Sequence, residues 1–305
     1  MTYSIGIDLG GTKIAGVLVN DHLDILYYEK IPVDPERRID KILNDIANLA
    51  RSLMKNLEKT DELIGMGIAC PGLLDISKGI MIFSENLNWR NVPVVQMLSE
   101  KINAPFYLEH DVRSGAIAEV FFGAGKNYRN LVYVSVGTGI SGTLIWERHF
   151  IRGARGISAE IGHIIVEPGG PLCRCGNIGC LEATSSGSAM EREAYHLIKK
   201  PVSGKTIMQR AQEKIPPYPT IVNQAAHYLG IGLANIAQIF DPEIILLGGG
   251  VAEAGDFWLN LLKSHYAKHQ FWSFPLPELV LGQFKGKASV MGAAGLPFLK
   301  KEGLF

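Results

Sequence analysis

The residues best suited to chemistry lie between Glu160 and Glu182. Cys173, Cys175 and Cys180 fall within eight positions, His163 stands ten residues upstream, and Glu182 follows two residues after the last thiol. Three thiols and an imidazole are the four ligands of a closed tetrahedral Zn2+ site, and with no open position such an ion is structural. A disulfide framework is disfavoured: the clustered thiols are odd in number, and four cysteines in 305 residues, with Cys70 alone, do not resemble a small secreted scaffold. Nor is Cys173-x-Cys175-x4-Cys180 the Cys-x-x-Cys pair of a thiol oxidoreductase. An imidazole that gives one nitrogen to a metal keeps an N–H on the other, available to an oxygen partner such as a substrate hydroxyl. Glu160 and Glu182 flank this histidine and could accept from neighbouring hydroxyls, although the common fate of a glutamate is a solvated surface.

Three glycine turns follow β-like runs: Gly10-Gly11-Thr12-Lys13, Gly137-Thr138-Gly139 and Gly248-Gly249-Gly250. Each alone could be an ordinary tight turn. Together they point to phosphate, because backbone N–H groups without a Cβ approach phosphate oxygens closely, and Thr12, Lys13 and Thr138 add side-chain donors. Asp8, two residues before Gly10, is placed where a carboxylate can hold Mg2+ directly or through water. Asp111 ends the run Phe106–Leu108 after Glu109 and His110. It could cap the helix that follows to about residue 122, or orient a hydroxyl nucleophile and accept its proton in phosphoryl transfer. Two motifs are set aside. Gly137-x-Gly139-x-x-Gly142 leads into Thr143–Trp146, a β-like run rather than a helix, and Gly204-Lys205-Thr206 lacks the earlier glycine and strand of a P-loop and reads as a solvent loop.

The elements that must hold these residues read as alternating strands and helices. Ser4–Leu9 and Ile14–Val19 bracket the first turn, and Asp34-Pro35 reads as the cap and first turn of a helix with Ile39, Ile42, Ile46, Leu49 and Leu53 on one face. Gly65–Ala69 is a buried-strand candidate ending at Cys70-Pro71-Gly72. Leu131–Val136, a glycine turn and Thr143–Trp146 repeat the opening pattern, which suggests two halves of related architecture. Pro216, Pro217 and Pro219 mark a loop. A helix through Ala226, Leu229, Leu233, Ile236 and Phe240 stops at Asp241-Pro242, Ile244–Leu247 is a strand, and a last helix covers about 288–299. Alternation of this kind predicts an α/β fold with ligands at the strand ends.

Thirty basic and thirty acidic side chains give a net charge of zero, which removes any global attraction to nucleic acid or acidic membrane. No run is long and apolar enough to span a bilayer, no secretory pattern opens the chain, and the expected location is cytoplasmic, without a membrane partner.

The sequence resembles the ROK family of bacterial sugar kinases and sugar-responsive repressors, within the actin-like sugar kinase and heat-shock ATPase superfamily. The likeness runs through Asp8–Lys13, Pro71-Gly72 with Asp75, Asn86-Leu87-Asn88-Trp89, Asp111, Gly137–Gly139, Glu160-Ile161-Gly162-His163, the cysteine segment to Glu182, and Gly248–Gly250. The Glu-x-Gly-His to Cys-Leu-Glu segment is its most specific part. The resemblance implies two actin-like (ribonuclease-H-like) α/β domains with a cleft between them, over 1–118 and 119–287, with the helix at about 288–305 returning to the first. It also implies ATP contacts from Gly10, Gly11, Thr12, Lys13, Gly137, Thr138, Gly139, Gly248 and Gly249, and Asp111 as base toward a sugar 6-hydroxyl. Glu160, His163 and Glu182, with Asn86, Gly72 and His110, would bind the sugar, while His163, Cys173, Cys175 and Cys180 hold Zn2+. A homo-oligomer, a dimer in particular, follows from family habit. His110 stands where family kinases usually have asparagine, and Ser141 and Thr143 stand where glycine is frequent.

The activity this predicts is ATP- and Mg2+-dependent phosphorylation of a hexose, glucose first, with another hexose or an N-acetylated amino sugar as the alternative. Family repressors carry a helix-turn-helix ahead of the core. Here the first strand is expected at about residue 3, so no DNA-binding segment and no nucleic-acid partner are anticipated. A catalytically weak sugar-binding protein is the third reading, motivated by His110.

Overall fold

Strands β1 (Thr2–Leu9), β2 (Lys13–Asn20) and β3 (Ile25–Pro32) form an antiparallel meander in the computed structural model, which describes residues 1–270 and 273–304. Chain continues through α1 (Ile39–Met54) to β4 (Glu62–Cys70), which lies parallel to β1. A small antiparallel sheet of β5 (Leu73–Asp75), β6 (Ile80–Ser84) and β7 (Trp89–Val92), then α2 (Val94–Ser99), lead to β8 (Phe106–His110), parallel to β4. The sheet order is β3-β2-β1-β4-β8. Helix α3 (Asp111–Ile117) follows at once and runs into a π-helical turn at Ala118–Phe122. These elements belong to one of two compact units, Met1–Gly123 together with the segment from Lys287 onward; the other is Ala124–Gly286. Phe305, included in the expected terminal segment, lies outside the described residues.

Helix α1 buries Ile42, Ile46, Leu49 and Leu53, the stripe expected from spacing. Each such side chain contributes about 1.5–3 kcal/mol on burial. Its start is four residues later than Asp34-Pro35 predicts. Asp34 is not the cap: its carboxylate accepts from the Arg38 backbone N–H at 3.0 Å and from the Arg38 guanidinium at 3.0 and 3.1 Å, which holds the turn ahead of the helix. The guanidinium and these hydrogen bonds keep the Asp34 carboxyl below its ordinary range.

The last helix, α9 (Ala288–Lys301), packs on this first sheet through backbone contact, which is why its residues are small. A Cβ placed on Gly67 of β4 would lie 1.8 Å from the Ala293 carbonyl oxygen, and neither helix nor strand backbone can yield that space. Gly67→Ala is therefore expected to destabilise the protein by about 1–3 kcal/mol or more by overpacking. A denaturant melt reads this directly, and an unchanged midpoint would show that the helix is not seated there.

The second unit repeats the pattern. β9 (Leu131–Val136) pairs antiparallel with β10 (Ile140–Trp146), β10 with β11 (His149–Ile151), and β9 lies parallel to β12 (Ile244–Gly248), itself parallel to β13 (Glu278–Leu281). The order β11-β10-β9-β12-β13 matches the first sheet strand for strand, with the same sequence of antiparallel and parallel pairings. Two ribonuclease-H-like α/β units thus account for the restart of pattern at Leu131. Between β11 and β12 lie α4 (Leu181–Ser185), α5 (Gly187–Ile198), α6 (Gly204–Gln212) and α7 (Tyr218–Phe240), and α8 (Asp256–Tyr266) follows β12. Helix α7 buries Ala226, Leu229, Leu233 and Ile236 and stops at Asp241, in the left-handed region at φ 43°. Two loop expectations are corrected. Pro219 sits in the first turn of α7, where a missing N–H costs nothing. Gly204-Lys205-Thr206 is the first turn of α6, because Ser203 caps it through its Oγ, which accepts from the Thr206 N–H at 3.2 Å.

Candidate active site and metal centre

In the first unit the chemistry gathers at the carboxyl ends of β1 and β8. Asp8 is the penultimate residue of β1, and its Oδ1 accepts a hydrogen bond from Ser289 Oγ at 2.9 Å, from the start of α9. Asp111 is the first residue of α3 rather than the residue capping it. Its Oδ1 accepts from the Val112 N–H at 2.7 Å and lies 3.2 Å from His110 Nδ1. Burial, and next the charge of Asp111, push the Asp8 carboxyl up to about 6, against the lowering effect of the Ser289 hydrogen bond. A carboxyl raised in this way by burial and a neighbouring carboxylate favours a cation or a proton on it. Cys70, fully buried at the end of β4, is held as a thiol well above its ordinary value by burial and then by the same two aspartates.

The shifted carboxyl has a stability consequence. A folded value near 6 lies above the ordinary 3.8, so the stabilisation from holding Asp8 protonated is complete below about pH 4 and is lost as pH rises through about 6. Asp8→Asn keeps the acceptor for Ser289 and removes the charge. It is expected to raise cation-free stability at pH 8 by on the order of 1–2 kcal/mol, the half-exposed carboxylate being partly screened. The gain should shrink as pH falls toward about 4. Melting curves at several pH values check this, and a destabilised variant at pH 8 would contradict it.

Gly10 closes the β1–β2 turn by donating its N–H to the Lys13 carbonyl at 3.0 Å, leaving Thr12 and Lys13 exposed. Gly11 lies within van der Waals reach of Asn86, an exposed residue between β6 and β7. Gly72, at φ 105°, turns the chain out of β4 against Phe83. Trp89 of the same motif is buried and donates its indole N–H to the Arg37 carbonyl at 2.9 Å, a packing role.

In the second unit the turn Gly137–Gly139 joins β9 to β10 and meets two other segments. The Gly187 N–H at the start of α5 donates to the Gly137 carbonyl at 2.7 Å, and the Ser188 N–H to the Thr138 carbonyl at 3.3 Å. Gly249, at φ 81°, turns the end of β12 against Val136, and Gly248 packs on Tyr133. A cavity of about 470 Å3 opens beside these glycines, walled by Gly137, Thr138, Gly250, Ser188, Lys205 and Gln209 among others. Its size suits a nucleoside. Ser188 and Gln209 were not singled out by sequence and Lys205 was set aside with its motif; the neglected signal was the pair of serine caps at Ser186 and Ser203, which start α5 and α6 at this cavity. Thr143, one of the departures from glycine, is buried with its hydroxyl unpartnered among the described residues.

The cysteine segment closes on itself. His163 Nδ1 is 3.6 Å from Cys173 Sγ, Cys175 Sγ is 3.6 Å from Cys180 Sγ, and the four ligand atoms lie within 4.8 Å of one another. A sulfur pair at 3.6 Å is far beyond a disulfide bond of about 2.05 Å. It is close to the edge of a tetrahedron about a Zn2+ with bonds of about 2.3 Å. Burial first, then the other two thiols, push Cys180 up to about 12, so without a cation this thiol is costly to ionise, while the Asn177 backbone hydrogen bond holds exposed Cys175 below its ordinary value. The donor set therefore fits zinc. Because Nδ1 faces the sulfurs, His163 Nε2 is left for another partner.

The rest of the segment explains its spacing. Ile161 is buried in the core, and a Cβ on Gly162 would lie 2.1 Å from the Ile140 carbonyl oxygen, so the backbone between Glu160 and His163 lies directly on the start of β10. Glu182, in the first turn of α4, accepts the Ile140 N–H at 2.9 Å through Oε2, which ties it to the glycine turn. Glu160 is exposed. Within this unit His163, Glu160 and Glu182 thus share one neighbourhood with the β9–β10 turn.

The family model for the ROK family matches residues 4–298. The chain is 30% identical to a glucokinase of Streptomyces coelicolor over 318 aligned positions, covering 97% of this chain and 98% of that protein. It is 34% identical to a xylose repressor of Bacillus spizizenii over 272 positions, covering 88% of this chain and 70% of the repressor. Among solved structures it superposes on a ROK family glucokinase from Streptomyces griseus in complex with glucose and AMPPNP, with a TM-score of 0.85, 29% identity, and coverage of 96% of this chain and 98% of that one.

Proposed function

This chain belongs to the ROK family, and we propose that it is a sugar kinase that moves the γ-phosphoryl group of ATP to the 6-hydroxyl of a hexose, glucose first. The observation that carries the proposal is the pair of interacting carboxylates Asp8 and Asp111 at the strand ends of one unit. A kinase needs one group to accept a hydroxyl proton and another to hold the nucleotide's metal. The similarity to glucokinases, one of them solved with glucose and AMPPNP, supports the same reading.

In this proposal Asp111 orients the sugar hydroxyl and takes its proton as the O–P bond forms. Asp8 would hold Mg2+, directly or through water, and the ion would supply positive charge to offset that of the phosphoryl oxygens as ADP leaves. The backbone N–H groups of Gly10, Gly11, Gly137, Gly139, Gly248 and Gly249, with Thr12, Lys13 and Thr138, bind the phosphates, and the cavity beside Ser188 and Lys205 takes the nucleoside. His163, Cys173, Cys175 and Cys180 would hold Zn2+, which would fix the segment that offers His163 Nε2, Glu160 and Glu182 to sugar hydroxyls; Asn86, Gly72 and His110 are the further proposed sugar-binding residues. Free thiols of this kind suit the cytoplasm, and among the described residues no helix is long and apolar enough to cross a membrane. A homodimer is the proposed assembly.

ADP release is to be measured with Mg2+, ATP and a panel of glucose, mannose, allose, fructose, glucosamine and N-acetylated amino sugars. Turnover with at least one hexose is expected, and none across the panel would sink the proposal. A second reading, a sugar-responsive regulator, is favoured by the 34% identity to a xylose repressor. It predicts stabilisation by a sugar that is never phosphorylated.

A further inference from the structure

Three of the chain's eight histidines meet where α7 packs on α8, away from the residues assigned to the kinase site. The ring of His227, on α7, lies 5.6 Å from that of His265 near the end of α8, meeting it edge to face, and 6.5 Å from that of His269 in the turn that continues α8. His265 and His269 are four residues apart along this helical run, the spacing that places two imidazoles on one face, as in helical zinc pairs.

The nitrogens are prepared as ligands. His265 is buried, and its Nε2 lies 2.9 Å from Asn223 Oδ1, an acceptor, so Nε2 carries the proton and Nδ1 bears the lone pair. That Nδ1 is buried with no hydrogen-bond partner, and so is Nε2 of His269. A buried nitrogen left without a partner is unfavourable unless something satisfies it. Neutral imidazole is the metal-binding form.

We propose that His227, His265 and His269 form a second metal site for a divalent ion of the zinc, cobalt and nickel class, clipping α8 to α7 and leaving a fourth position for water. Imidazole donors select this class over Mg2+ and Ca2+. With Zn–N bonds of about 2.1 Å, two imidazoles on one tetrahedral ion have ring centres about 5 Å apart. The His227 and His265 rings, 5.6 Å apart, are about half an ångström beyond that, and His269, 6.5 Å from His227 and half-buried at the end of the run, must rotate its side chain to join them. Among the described residues only the cysteine-histidine set has its ligand atoms within 4.8 Å, so the histidine trio needs side-chain rotation to close on an ion.

Metal content by mass spectrometry, after loading with Zn2+ and desalting, tests this in the full chain. About two ions per chain are expected for the unaltered protein and about one for His269→Gln and for His227→Gln, whose partly exposed positions tolerate the change better than His265. Loading with Co2+ separates the two sites, because thiolate ligation gives strong near-ultraviolet charge-transfer absorption that must persist in both variants while the nitrogen-site bands vanish. Zn2+ should also raise the melting temperature of the unaltered protein by several degrees more than that of His269→Gln. One ion per chain throughout, with no difference between the unaltered protein and the variants, overturns the proposal.

Discussion

Asp111→Asn is expected to lower sugar-dependent ADP release by about 10²–10⁴-fold, the worth of a positioned general base. The substitution preserves shape. An asparagine Oδ1 still accepts the Val112 N–H now donated to Asp111 at 2.7 Å, so the start of α3 has no reason to unfold. What it removes is the proton acceptor, an interaction needed in the transition state and not for binding; kcat and kcat/KM should therefore fall together while the sugar KM changes little. It also removes the charge that helps push Asp8 up to about 6, so the variant should be no less stable than the parent at neutral pH. Steady-state kinetics with a thermal melt settle both points. A loss of less than about tenfold would take the base role away from Asp111.

Removing the metal should produce the opposite pattern. Cys180 is fully buried and faces Cys175 at 3.6 Å, so Cys180→Ser leaves a weaker, harder-to-ionise ligand at the centre of the cluster. Loss of zinc and a destabilisation on the order of 2–4 kcal/mol are expected, because binding energy at such a site is folding energy. The segment from Glu160 to Glu182 would then be free to move, and sugar affinity should fall by about 10–100-fold, the usual consequence of loosening the supports of a ligand. At saturating sugar the chemical step should survive, since Asp111 and Asp8 lie in the other unit. Cys175→Ser, at an exposed position, offers a milder version if Cys180→Ser does not fold. Zinc content and a sugar titration read the outcome, and a variant that loses zinc yet binds sugar normally would contradict it.

The two variants test a proposed division of recognition from chemistry that the residue types suggest. The thiols and His163 announced themselves because few structures other than a metal centre gather such ligands so tightly. The doubling of architecture was visible because a glycine turn between two β-like runs occurs at both Gly10 and Gly137, and both turn out to sit between the first two strands of matching sheets. Helices with a clean apolar stripe, such as α1 and α7, were equally plain. Their starts were not. Asp34 looked like a cap, but its carboxylate is engaged by Arg38 four residues on, a tertiary detail that spacing does not encode.

The cavity beside Ser188 and Lys205 was the larger omission. Part of its wall comes from the starts of α5 and α6, where Ser188, Ser203 and Gly204 carry no motif of their own. Gly204-Lys205-Thr206 was dismissed for failing the P-loop pattern, which was correct, and then assigned to a loop, which was not; the Ser203 cap was the neglected signal. The tie between Glu182 and the Ile140 N–H was likewise invisible, since it joins residues 42 apart in sequence.

The most direct test of the account is to follow the phosphoryl group itself. With γ-labelled ATP, Mg2+ and the preferred hexose, the label should appear as a phosphate ester on the sugar 6-oxygen, located by phosphorus–proton NMR correlation, and should fail to appear with Asp111→Asn. A sugar that binds and stabilises the protein while never acquiring the label, at any position, would contradict the account and leave a sugar-responsive regulator in its place.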